Sequence, residues 1–166
     1  MEMGGNIQIF NQSSFGKEPI ADINVKSSDL RACDVTSEDV PNLIDELPIL
    51  FIACSFADGT SSFNQIEELK HKESDRLKAM QEGLNKMKIK NFLDGNVFSI
   101  EGIGKDYKSP SFIAETNYDH RIAMSFAIAG LNSSSAIEIA SPESINTSFP
   151  EFIDLGKKLG CNFEIS

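Results

Sequence analysis

Residues 43–59 read LIDELPILFIACSFADG, and the middle of this stretch decides the fold class. From Leu47 to Ala57 the chain is apolar nearly all round, without the polar face that a surface helix keeps. It is read as a buried helix over about Leu47 to Ala57. Pro48 falls in the first turn, where a missing N–H costs no hydrogen bond. Asp45 lies just before that turn, and Gly59 offers a stop. The run is far short of the roughly 20 residues needed to span a bilayer, so no membrane partner is expected.

Working outward, strands precede this helix. Ala21, Ile23 and Val25 alternate with Asp22, Asn24 and Lys26, a period of two. Ile7, Ile9 and Phe15 flank a turn-like NQSSFGKEP, and Arg31 to Val35 reads as a short strand. After the helix, Ser62 to Leu69 looks like a strand. A second helix covers about Glu73 to Met87, with Leu77, Met80, Leu84 and Met87 on one stripe. Strands over Ile89–Leu93 and Val97–Glu101 are joined by the turn former Asp94-Gly95-Asn96. GIGKDYKSPSF reads as a loop, Asp119 to Leu131 as a third helix and Ala136 to Ala140 as a strand. A last helix runs from Ser148 to about Gly160, opened by a Ser148/Glu151 capping box with Pro150 in its first turn, and Cys161 to Ile165 closes as a strand. The spacing Asp45 to Pro48 returns at Thr147 to Pro150, which suggests a duplicated strand–helix unit. The class is α/β (α+β), with helices packed against several sheets.

The 166 residues, enough for one domain or a piece of one, carry 15 basic and 25 acidic side chains, a net charge of -10. Such a surface repels a polyanion, so nucleic-acid binding is not expected and an anionic ligand needs a local cluster of cations. MEMGGNIQIF lacks a basic stretch followed by an apolar core, so no signal peptide is read there. Cys33, Cys54 and Cys161 are scattered and lack metal-ligand spacing, which fits reduced thiols in a cytoplasmic protein.

Three places combine charge with a helix start: Asp45, the run Lys72-Glu73-Ser74-Asp75-Arg76, and Asp119-His120-Arg121. Cations at a helix N-terminus oppose the helix dipole, so Lys72, Arg76 and Arg121 suggest that something negative binds there. Lys72 and Arg76 share a face if the helix extends back to Lys72, and Glu73 and Arg76 can touch. Cations beside Glu73 favour its ionised form; a bound anion would push the other way and let it hold a proton, as a general acid/base must. The plainer readings stand beside these. Glu73–Arg76 fits an ordinary surface pair, Asp45 and Asp119 fit simple caps, and His120 fits a structural histidine.

EELKHKESDRLKAM, YDHRIAMSFAIAGL, LIDELPILFIACSFADGT and TSFPEFIDLGKKLG together resemble the signatures of the 5-enolpyruvylshikimate-3-phosphate (EPSP) synthase family, 3-phosphoshikimate 1-carboxyvinyltransferases. MGGNIQI and ADINVKSSDL look like that family's upstream strands, and the LIDELP and SFPEF wording resembles its class II branch. The resemblance implies an inside-out α/β barrel of βαβαββ units, about two of six being present. Residues 1–166 would be a partial C-terminal domain, with the N-terminal domain absent. It implies transfer of the enolpyruvyl group of phosphoenolpyruvate to the 5-hydroxyl of shikimate 3-phosphate, with release of phosphate. Asp45 and Glu73 would be catalytic, with their division of proton transfer left open. Lys72, Arg76, Asp119, His120 and Arg121 would bind substrate. No metal or organic cofactor is implied.

Two departures matter. Thr147 stands where many relatives carry lysine, and the first domain, which supplies a lysine, an arginine and a serine-rich phosphate site, is missing. The chain is therefore expected to fold without turning over alone. The alternative is a non-catalytic binding or assembly fragment whose apolar seam is covered by self-association or by an N-terminal half of the enzyme. A sugar-nucleotide enolpyruvyl transferase is the weaker relative, because K-E-S-D-R with D-H-R-I-A-M favours the shikimate branch.

Overall fold

The computed structural model describes residues 3–104, 108 and 110–164. Strands β1 (Asn6–Phe15) and β2 (Glu18–Lys26) pair as an antiparallel hairpin. A turn at Gly16-Lys17 joins them, so most of the turn expected over residues 11–19 is strand. Asn11, at φ 51°, sits in a bulge between Phe10 and Ser13. Next come β3 (Asp34–Val35), α1 (Val40–Leu43), α2 (Leu47–Ser55), β4 (Thr60–Asn64), a 3-10 helix (Glu67–His71), α3 (Arg76–Lys86), β5 (Asn91–Asp94) and β6 (Val97–Glu101). The sheet order is β3-β4-β6-β5, with β3 and β4 parallel and the other pairs antiparallel. Then follow β7 (Phe112–Ala114), α4 (His120–Gly130), β8 (Ile137–Ile139), a 3-10 helix (Pro142–Thr147) and α5 (Phe152–Lys158), with β7 parallel to β8.

The order β3–α2–β4–α3–β5–β6 is one complete βαβαββ unit. β7–α4–β8–α5 repeats its first four elements, and β1–β2 is a hairpin of the kind that closes such a unit. The α/β class and its duplication are therefore present. The phase differs from the Asp45/Thr147 echo, because α2 corresponds to α4 and not to α5.

α2 is buried as its composition requires. The Phe51 ring lies 4.7 Å from Phe63 and 5.0 Å from Phe98, contacts worth about 1 kcal/mol each beyond burial. α3 packs its Leu77, Met80 and Leu84 stripe inward. Gly83 faces Phe126 of α4, where an added Cβ would lie 1.9 Å from the ring. Glycine thus lets α3 and α4 close on each other, and their starts come together.

Several expectations are corrected. The strand expected over Ser62–Leu69 stops at Asn64; Gln65 adopts φ 56° and the chain winds into the 3-10 helix. α3 begins at Arg76 rather than Glu73, because the Asp75 side chain accepts from Lys78 N at 3.0 Å and sets the cap there. The Ser148/Glu151 box does not form. Pro142–Thr147 takes up the preceding chain, and α5 starts after Glu151 without a side-chain cap. No strand covers residues 161–164; instead Phe163 stacks on Phe152 at 5.7 Å. Ile165 and part of the GIGKDYKSPSF loop lie outside the described residues, and Phe112 at the loop's end opens β7. The thiols of Cys33 and Cys54, far apart in sequence, have their Sγ atoms 3.9 Å apart. Among the described residues no helix is long and apolar enough to cross a membrane.

Candidate active site

The starts of α2, α3 and α4 meet, and one guanidinium joins them. Arg76 is 0% exposed. Its Nε donates to Asp119 Oδ2 at 2.8 Å, its Nη1 to Asp45 Oδ1 at 3.0 Å and its Nη2 to Glu73 Oε2. All three guanidinium nitrogens are therefore engaged. The Glu73–Arg76 contact is one arm of a three-carboxylate cage, not an isolated surface pair. Burial works against the Arg76 charge, but the hydrogen bond and charge of Asp119, with Glu73 and Asp45, outweigh it and raise its pKa.

Asp119 does two jobs. Its Oδ1 caps α4, accepting from Arg121 N at 2.9 Å, while its Oδ2 takes Arg76 and the Ser74 hydroxyl at 3.1 Å. It is fully buried. The cap reading is correct but incomplete, because the same carboxylate also holds Arg76 and Ser74.

Lys72 is not on α3. It ends the 3-10 helix in an extended conformation, so the shared helix face with Arg76 does not exist. It still reaches the site, with Nζ 3.5 Å from Asp45 Oδ1 and 2.8 Å from Glu68 Oε1. The Glu68 hydrogen bond, opposed by partial desolvation and helped by Asp45, raises its pKa. Desolvation pushes Asp45 upward, but the Arg76 hydrogen bond and the Lys72 and Arg121 charges hold it below the ordinary carboxylate value. Asp45 and Glu73 are about half exposed and sit on the two terminal nitrogens of one guanidinium, a placement suited to a pair that shares proton transfer.

Arg121 Nη1 donates to the Asp45 carbonyl and to Glu46 Oε1, both at 2.8 Å. Beside it opens a cleft of about 200 Å³, charged at Asp45, Glu46 and Arg121 and apolar at Ile49, Met124 and Phe149. His120 is partly exposed at the first position of α4. Thr147 ends its 3-10 helix with Oγ1 donating to Ser144 O at 2.7 Å. Sequence reasoning missed Glu46 and gave Ser74, inside the run it singled out, no role; a second carboxylate at the start of α2 was the available signal for Glu46. Among the described residues no group of three histidines, cysteines or carboxylates is placed to hold a metal ion.

The model of EPSP synthase (3-phosphoshikimate 1-carboxyvinyltransferase) matches residues 1–155. The chain belongs to the EPSP synthase family. It is 45% identical to a 3-phosphoshikimate 1-carboxyvinyltransferase of Zymomonas mobilis and 40% identical to one of Petrotoga mobilis, over 98% and 95% of this chain. A solved EPSP synthase of Acinetobacter baumannii superposes with a TM-score of 0.93 at 40% identity, over 99% of this chain and 38% of its own. The enolpyruvyl transferase NikO of Streptomyces tendae, at 15% identity and a TM-score of 0.63, shares the fold. The chain spans 37% of the length of the Zymomonas relative and 36% of the Petrotoga one. The EPSP synthase fold is thus present over about a third of its full extent.

Proposed function

We propose that residues 1–166 are part of the C-terminal domain of an EPSP synthase and supply the half of its site that manages protons and one substrate anion. The reaction is attack of the 5-hydroxyl of shikimate 3-phosphate on C2 of phosphoenolpyruvate. Glu73 gives a proton to the methylene carbon, and Asp45 takes the hydroxyl proton. Return of a proton from the resulting methyl group to Glu73 then expels phosphate from the tetrahedral intermediate, and the departing phosphate takes the proton held by Asp45. The observation that carries this reading is the convergence of Asp45, Glu73, Arg76, Asp119 and Arg121 near the starts of α2, α3 and α4, with Lys72 reaching Asp45 from the end of the 3-10 helix. Asp45, held ionised by Arg76, Lys72 and Arg121, suits a base. Arg121 receives the phosphoenolpyruvate carboxylate or phosphate, Lys72 contacts shikimate 3-phosphate, and His120, beside Arg121 in the chain, is a further ligand contact.

Arg76 acts chiefly by setting Asp45 and Glu73, with Asp119 behind it. The remaining two-thirds of the relatives' length supplies the other anion contacts, and closure over the substrates excludes water. The test is phosphate release from phosphoenolpyruvate that depends on shikimate 3-phosphate. The chain alone should give none, and the chain combined with the complementary portion of a relative should give turnover that D45N and E73Q each abolish. Turnover by the chain alone, or full turnover in D45N, overturns the proposal.

A second reading, a non-catalytic assembly module, is favoured by one observation. The hairpin β1–β2 has every residue exposed, with Ile7, Ile9, Ala21, Ile23 and Val25 on one face. That face also suits the seam against the rest of the synthase.

A further inference from the structure

The two arginines of the site are held differently. Arg76 spends all three nitrogens on carboxylates and is out of solvent. Arg121 is 30% exposed, and only its Nη1 has partners among the described residues. Nη1 carries two protons, and there are two acceptors for them: the Asp45 carbonyl and Glu46 Oε1, each at 2.8 Å. With both protons used, the guanidinium cannot turn freely about its Nε–Cζ bond. Its other edge, the parallel Nε–H and Nη2–H pair, matches a carboxylate or phosphate in two-point geometry.

We propose that Glu46 is a positioning residue for Arg121. With the Asp45 carbonyl, it fixes the guanidinium so that the Nε–Nη2 edge faces the incoming anion. Glu46 immediately precedes α2, and Asp45, one residue earlier, holds Arg76 and Lys72. The consecutive pair Asp45-Glu46 therefore ties the carboxylate cage of Arg76 to the open fork of Arg121. The bond, not the charge, does the positioning, because a carboxylate near the fork repels an anion. This inference rests on the reading of the site as a phosphoenolpyruvate site.

The test uses the full 166-residue chain and phosphoenolpyruvate, followed through the Arg121 Nε–H resonance by NMR. In wild type, phosphoenolpyruvate should shift that resonance saturably, and the Nη protons should show restricted rotation. E46A should free the rotation and weaken binding about threefold, the range of an exposed arginine–carboxylate contact. E46Q, whose amide oxygen still accepts from Nη1, should keep restricted rotation and bind as wild type or tighter. E46S, also too short to reach, should repeat E46A and serves if E46A folds poorly. If wild type gives no shift with phosphoenolpyruvate, the site reading and this inference fail together. If wild type does shift and E46A binds as well or better, the Glu46 assignment alone is overturned.

Discussion

Asp119→Asn isolates the contact that holds the site together. The change is nearly isosteric, but an amide has one oxygen where Asp119 uses two. If the remaining oxygen keeps capping α4 at Arg121 N, the new NH₂ faces Arg76 Nε, donor against donor, while the Ser74 hydroxyl can turn to accept from it. Arg76 has no exposure and so cannot recover its bond from water. Removing one partner of a buried ion pair costs about 3–5 kcal/mol. The lower end applies here, because Asp45 and Glu73 still serve Nη1 and Nη2. About 3 kcal/mol is a large share of the 5–15 kcal/mol that stabilises an ordinary domain. With a urea m-value of about 2 kcal/mol/M, the unfolding midpoint should fall by about 1.5 M, read by far-UV circular dichroism. Asp119→Ala should cost about 1 kcal/mol more, because the α4 cap goes too. A shift below about 0.5 M in D119N, with unchanged m, would show that the Arg76 cage is not what joins α3 to α4.

Three further outcomes follow from the geometry. Burial, opposed by a hydrogen bond from Ser61, pushes the Cys54 thiol from 9.0 up to about 12. Its neutral form is favoured in the fold, so stability is full below pH 9 and declines toward pH 12 by up to about 1.4 kcal/mol per pH unit. C54A should flatten that decline, and a native-state thiol assay should label Cys33 and Cys161 well before Cys54. The Asp45 carboxyl should titrate below 3.8 by carbon-detected NMR, and K72M should move it upward. Its contribution to stability is present above 3.8 and lost as pH falls through the lower folded value, so a wild-type midpoint at or above 3.8 refutes the cation cage around it. The exposed hairpin face should make the isolated chain self-associate, and I9K with I23K should return it to monomer. A concentration-independent monomer that binds no apolar dye argues against an uncovered seam.

The α2 helix was legible because its composition leaves no polar face, and α3 and α4 because their apolar residues recur at helical steps. The convergence of charged helix starts was legible as an oddity, since Arg76 and Arg121 stand where the helix dipole disfavours them. What the sequence hid were consequences of distance along the chain. Arg76 and Asp119 are 43 residues apart, and no local pattern says that they pair. The Ser148/Glu151 motif misled for the opposite reason. Its local signal was good, but the segment Pro142–Thr147, tied by Ser144 and Thr147 side-chain bonds and packed on α4, claims the chain just before it. Lys72 was placed beside a helix expected from Glu73, but the Asp75 cap starts that helix three residues later.

The charge balance at the site explains why it takes both arginines. Lys72, Arg76 and Arg121 are surrounded by Asp45, Glu46, Glu68, Glu73 and Asp119, so the acids outnumber the cations before any ligand arrives. A simple electropositive trap would not be built this way. The buried guanidinium of Arg76 is a hub that holds Asp45 and Glu73 on its two terminal nitrogens, the spacing that the proposed proton-transfer pair requires. On the proposed function, the half-open guanidinium of Arg121 is the one that meets the anion. An anion reaching Arg121 adds negative charge beside carboxylates already held close together, and that raises their affinity for a proton. If the proposed function holds, binding and protonation are coupled through the same few ångströms: the ligand that is to receive a proton helps to load the acid that gives it.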